Sequence, residues 1–110
     1  MVKHNRFDIC LANLDPTIGS ETKKTCPVVI VSPDSMNHSR LKTIIVAPMT
    51  STVRDDFPTR VMIHFNHKTG QIALDQLRSI DRVRIMKVLG HVDEQTAHDI
   101  LTLLSVMFDR

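Results

Sequence analysis

A chain of 110 residues, 42% hydrophobic and 24% charged, has enough material for one core and one domain spanning 1–110, and its composition excludes disordered and fibrous classes. No run approaches the ~20 apolar residues of a membrane span and the N-terminus carries no apolar stretch of signal-peptide length, so a cytoplasmic protein with no membrane contact is expected. The net charge of +2 is unevenly spread. Residues 93–110 hold four acids and one base, which leaves 13 bases against 8 acids in residues 1–92. That surplus suits a phosphate-bearing partner, and equally a scattered, solvated surface.

In chain order, residues 7–13 form the first predicted strand, followed by a long connection from Leu14 to Thr25 that contains Pro16, Gly19, Lys23 and Lys24. Residues 27–32 and 43–48 contain the continuous apolar runs Val28-Val29-Ile30-Val31 and Ile44-Ile45-Val46-Ala47. Both faces of such strands should be covered, as in a tightly curled barrel. A second long connection, Met49 to Thr59, carries Ser51, Thr52, Arg54 and Phe57. Residues 60–65 alternate, with Val61, Ile63 and Phe65 on one face and Met62 and His64 on the other. Residues 70–74 and 87–92 are the remaining predicted strands. The period then changes: Ala97, Ile100, Leu101, Leu104, Met107 and Phe108 recur at helical spacing behind Asp93, an N-cap residue followed by Glu94. The expected class is mainly β with one C-terminal helix.

Candidate chemistry is sparse. The six histidines show no ligand-like spacing with cysteines or carboxylates, so neither a metal nor another cofactor is expected, and there is no glycine-rich phosphate loop. Cys10 and Cys26 read as reduced thiols. Phe7, Phe65 and Phe108 read as core, whereas Phe57, in a polar loop before Pro58, can contact a base or a partner, or simply anchor its loop. The two long connections and the carboxylate–amide pair Asp75-Gln76 are the natural places for a site, with no reaction specified.

The segments Asn13-Leu-Asp-Pro-Thr-Ile-Gly-Ser-Glu21, Lys23-Lys-Thr-Cys-Pro-Val-Val-Ile-Val-Ser-Pro33, Ile44-Ile-Val-Ala-Pro-Met-Thr-Ser51, Pro58-Thr-Arg-Val61 and Gly70-Gln-Ile-Ala-Leu-Asp-Gln-Leu-Arg-Ser-Ile-Asp81 follow one another in an order that resembles the MazF/PemK toxins. The resemblance spans nearly the whole chain. It implies an SH3-like curled β-barrel with a C-terminal α-helix, assembled as a homodimer, in which Leu103, off the main helical stripe, is a candidate interface residue. It also implies a toxin of a type II toxin–antitoxin system that cuts single-stranded mRNA without a metal, by attack of the RNA's own 2′-hydroxyl, and that is held in check by an antitoxin in the same groove.

Carried over residue by residue, the resemblance implies a catalytic set at Glu21, Cys26, Thr50 and Asp75, with Asp75 a general base or acid. RNA contacts fall to Ser20, Lys23, Lys24, Ser51, Arg54, Phe57, Gln76 and Arg78. Two positions depart from the pattern. Cys26, in Thr25-Cys26-Pro27, stands where the family motif has an arginine, and Ala73 stands where some relatives have a second one, leaving Arg78 and Lys23 as the expected nearby cations. A guanidinium is an always-charged fork of donors, whereas a thiol is neutral with one weak donor, so the chain is expected to be strongly impaired as an enzyme. The alternatives are a non-cleaving binder of RNA or antitoxin and a gyrase-poison type of binding protein.

Overall fold

The computed structural model describes residues 3–14 and 25–110. Ser20, Glu21, Lys23 and Lys24, together with most of the first long connection, lie outside the described residues. Among those described, the chain runs β1 (Asp8–Asn13), β2 (Thr25–Ile30), α1 (Asp34–Asn37), β3 (Thr43–Thr50), β4 (Arg60–Phe65), β5 (Lys68–Ala73), β6 (Arg78–Asp81), β7 (Ile85–His91) and α2 (Glu94–Met107), with 3₁₀ turns at Leu74–Gln76 and Arg82–Arg84.

Seven of these strands form one antiparallel sheet in the order β4-β5-β3-β2-β1-β7, with β6 paired to β3 off that path. β3 is the hub. One edge meets β2, from Val28↔Pro48 to Ile30↔Val46. Its other edge is shared: residues 43–46 pair with β6, and Met49 and Thr50 pair with Ile72 and Gln71 of β5. Pro48, with no N–H to donate, falls at the changeover between those two partners.

The continuous apolar runs are covered on both faces. Ile9, Val29, Ala47, Ile63 and Ile72 join a cluster beneath α2, while the alternate positions Cys10, Val28, Ile30, Ile44 and Val46 join a second cluster closed by Ile80 of β6. Burial pushes the Cys10 thiol up to about 12, with Asp8 adding to the shift, so Cys10 is an inert packing group. The sheet curls until its two ends meet: a Cβ on Gly90 of β7 would lie 2.8 Å from the Phe65 ring of β4. Only a residue without a side chain lets that ring close the curl.

Three expectations need correction. β5 starts at Lys68, two residues before the predicted strand, because Asn66 (φ 53°) and His67 (φ 62°) make a two-residue turn in which both central residues are left-handed. Phe108, expected in the core, is 73% exposed, because α2 ends at Met107 and Phe108 is its C-cap. Leu103 packs against the core and Leu101 is exposed. Around the helix Leu103 lies about 60° from the buried Ile100 and Leu101 about 100°, so the outward residue is Leu101. Asp93 caps α2 as expected, accepting from the Thr96 N–H at 2.7 Å.

Candidate nucleic-acid interface

The end of β3, the connection over residues 51–59, the start of β4 and the end of β5 enclose a concave site of about 400 Å³ whose wall includes Thr50, Thr52, Arg54, Phe57, Arg60 and Gln76. Each wall residue is placed by something local. Gln71, buried in β5, clamps the 51–59 connection: its Oε1 accepts the Arg54 N–H at 2.9 Å and its Nε2 donates to the Arg54 carbonyl at 3.3 Å. An extended β5 thereby fixes the backbone from which Arg54 projects.

Thr50 sits at the C-terminal end of β3, where its Oγ1 accepts the Thr52 N–H at 3.1 Å. An oxygen used as acceptor keeps its own proton for donation. Gly70 holds this strand end close to β5, since a Cβ there would lie 2.5 Å from the Thr50 carbonyl oxygen. Cys26 is half-buried in β2 opposite Ala12. Val28↔Pro48 is the last β2–β3 pair; Cys26 and Thr50 each lie two residues beyond it along their strands, and Cys26 is not among the residues that line the groove.

Opposite Thr50, the Arg60 Nε donates to Asp75 Oδ1 at 2.8 Å, its Nη2 donates to Oδ2 at 3.4 Å, and Thr59 Oγ1 donates to the same Oδ1 at 2.9 Å. The Arg60 guanidinium beside Asp75 holds its carboxyl below the usual carboxylate range, and the Thr59 hydroxyl adds to that. A carboxylate so paired is a weaker base than a free one. Phe57, 40% exposed, carries Arg60 over its ring at 4.9 Å and Arg54 at 5.8 Å from the centroid.

Thus Thr50, Arg54, Phe57 and Gln76 are brought together, with Asp75 joined to them through Arg60. Ser51 instead lines a smaller apolar recess of about 220 Å³ on the far side of Thr50. Arg78 lies in β6 opposite Val46 and is no part of the wall, so among the described residues the cations beside the site are Arg54 and Arg60, and not the expected Arg78. Arg60 appeared in the sequence as the opening residue of a strand and inside the Pro58-Thr-Arg-Val61 segment, with no role, and its approach to Asp75 depends on the β4–β5 register. Among the described residues no group of three or more His, Cys, Asp or Glu side chains could hold a metal, and no helix is long and apolar enough to cross a membrane.

Residues 5–108 match the family described as PemK-like, MazF-like toxin of type II toxin-antitoxin system. The chain belongs to that family. A relative, Endoribonuclease MazF of Staphylococcus saprophyticus, is 30% identical over 106 residues, covering 92% of this chain and 88% of its own. Endoribonuclease EndoA of Bacillus subtilis is 29% identical over 94 residues, covering 82% of this chain and 81% of its own. Among solved structures, MazF from Deinococcus radiodurans superposes with a TM-score of 0.77 at 20% identity over 97% of both chains. A MazE–MazF structure from the same organism gives 0.81 at 21% identity, covering 97% of this chain and 96% of that one. The curled antiparallel sheet with one C-terminal helix is therefore the MazF fold.

Proposed function

We propose that this PemK/MazF chain is an endoribonuclease toxin that binds single-stranded mRNA in the Thr50–Arg60 groove and cleaves it slowly, because the charge its family motif supplies at position 26 is missing. The observation that carries this reading is the convergence of a donor hydroxyl, two guanidinium groups, an exposed aromatic ring and an amide in one groove. Arg54 pairs with phosphate, Phe57 offers a face for a base to stack on, and Gln76 reads base edges. Thr50 donates to a non-bridging oxygen as the phosphorane forms. The 2′-hydroxyl loses its proton as its oxygen bonds to phosphorus, and the 5′-oxygen leaves with a proton, so the products carry a 2′,3′-cyclic phosphate and a 5′-hydroxyl. Glu21 keeps the place in the catalytic set that the resemblance implies.

The same reading includes a homodimer, a cytoplasmic setting and an antitoxin that covers the groove. Incubating the protein with single-stranded RNA in the presence of a chelator and analysing the ends tests the reaction. Cyclic phosphate and 5′-hydroxyl ends support it, and 3′-hydroxyl ends or loss of cleavage on chelation overturn it. A non-cleaving binder is the second reading, favoured by Cys26 alone. It requires RNA binding with no cleavage even when arginine is restored at position 26.

Asp75 yields a pH prediction. Its folded pKa is depressed, so its contribution to stability is present above the unfolded value and is lost only as pH falls through the lower folded value. Between about pH 5 and 8 its charge does not change. The pH–rate profile in that window should keep its shape in Asp75→Asn, displaced to lower rates. An acid limb present in the parent and absent from the variant would instead make Asp75 the general base.

A further inference from the structure

The Arg60 side chain is only 7% exposed, yet it forms part of the groove wall. A guanidinium has five N–H donors. Asp75 takes one from Nε and one from Nη2, and among the described residues no group accepts from Nη1. Nη1 is also absent from the buried polar atoms left without a partner, a set that holds His4 Nδ1 alone among the described residues. Arg60 lines both this groove and a neighbouring recess walled by Asp99, Thr102 and Leu103 of α2. Across the β4–β5 ladder Arg60 lies directly opposite Ala73, whose methyl group leaves the space that the guanidinium fills.

A pair that served only to tie β4 to the end of β5 would repeat ties already made by the Thr59–Asp75 bond and by the Leu74 N–H to the Thr59 carbonyl at 3.1 Å. What the pair adds is a flat cation held on one edge by a carboxylate and on one face by Phe57, in the wall of the cavity. Such a group loses little entropy on binding an anion. Resting on the proposed function above, we propose that Arg60 is a substrate-contacting residue, its outer edge binding a backbone phosphate of single-stranded RNA in the groove that Thr50 borders, with Asp75 and Phe57 as its positioning residues. The fixed positive charge of this site thus enters from β4.

The test is the affinity of the full chain, as a function of salt, for a short random-sequence single-stranded RNA with 2′-fluoro riboses, which binds but cannot attack its own phosphate. Arg60→Gln keeps a polar stem for Asp75 and removes the charge, and Arg60→Lys keeps the charge without the fork. Removing one phosphate contact should weaken binding about 10- to 100-fold and lower the slope of log affinity against log salt by about 0.7. Arg60→Lys should retain the slope with reduced affinity, and Arg54→Gln is the comparison for an ordinary groove cation. A folded Arg60→Gln that binds like the parent, with an unchanged slope, overturns the role of Arg60 while the groove reading survives through Arg54. A parent that shows no salt-dependent binding overturns both.

Discussion

Replacing Cys26 with arginine should raise the rate of RNA cleavage about 10²- to 10³-fold, the range by which loss of one preorganised donor to a transition-state oxyanion lowers it. Residue 26 lies two residues beyond the last β2–β3 pair, Val28↔Pro48, as Thr50 does on its own strand, so a long guanidinium side chain at position 26 is expected to reach the phosphate that the Thr50 hydroxyl meets. The phosphorane gains negative charge as the 2′-oxygen attacks. A neutral thiol can follow that charge only with a weak donor. Arg60 does not make position 26 redundant. Asp75 compensates its charge, and it enters from β4, which two intervening strands separate from β2 in the sheet order. It holds substrate in the ground state and the transition state alike, which lowers Kd without raising kcat. Cys26→Arg should therefore act on kcat, and Arg60→Gln mainly on KM. The arginine stem can lie along Leu14 and Ile85, which flank Cys26 on that cluster, so a large loss of stability is not expected. Single-turnover cleavage by both proteins decides the matter: equal rates would show that the charge at position 26 is not what limits this chain.

The parts of the fold legible in the sequence were those whose signal is local. Val28 to Val31 and Ile44 to Ala47 announced strands covered on both faces, and the clusters on either side of β2 and β3 are what cover them. β6 escaped because Arg78-Ser79-Ile80-Asp81 buries a single apolar side chain and is held by its pairing to β3, a partner that no local period reveals. α1 escaped for a related reason. Its four residues are too short for periodicity, and the Arg82 side chain caps its last carbonyls from 45 residues away in sequence. Within the site, Thr50, Arg54, Phe57 and Gln76 were legible from the resemblance and from the length of their loop. Arg60 was not. Its importance comes from facing Ala73 and Asp75 across a hairpin whose Asn66-His67 turn lacks the usual glycine, so the register that joins them was invisible in the residues themselves.

Ile72→Ala should cost about 2–5 kcal/mol, a large stability effect for a single change. Ile72 is fully buried in β5, opposite Met49 on one side and Val61 on the other, so it fills the space between the strand that ends in Thr50 and the strand that begins with Arg60. Removing its branch leaves a hole walled by β-sheet backbone, which relaxes little. For a domain of this size each kcal/mol corresponds to about 4–5 °C in Tm, so a fall of about 10–20 °C is expected, with an unchanged denaturant m-value. Val83→Ala, at a side chain 85% exposed, is the control and should stay within about 0.5 kcal/mol of the parent. The site should feel the change in a particular way. Gln71 and Ala73, the neighbours of Ile72, point to the other face of β5, where they clamp Arg54 and face Arg60. The fraction of folded protein would fall steeply with temperature, while RNA affinity per folded molecule at low temperature would stay within a few-fold of the parent. A fall in Tm of less than about 4 °C would mean that the β3–β5–β4 packing is not what holds the two walls of the groove together.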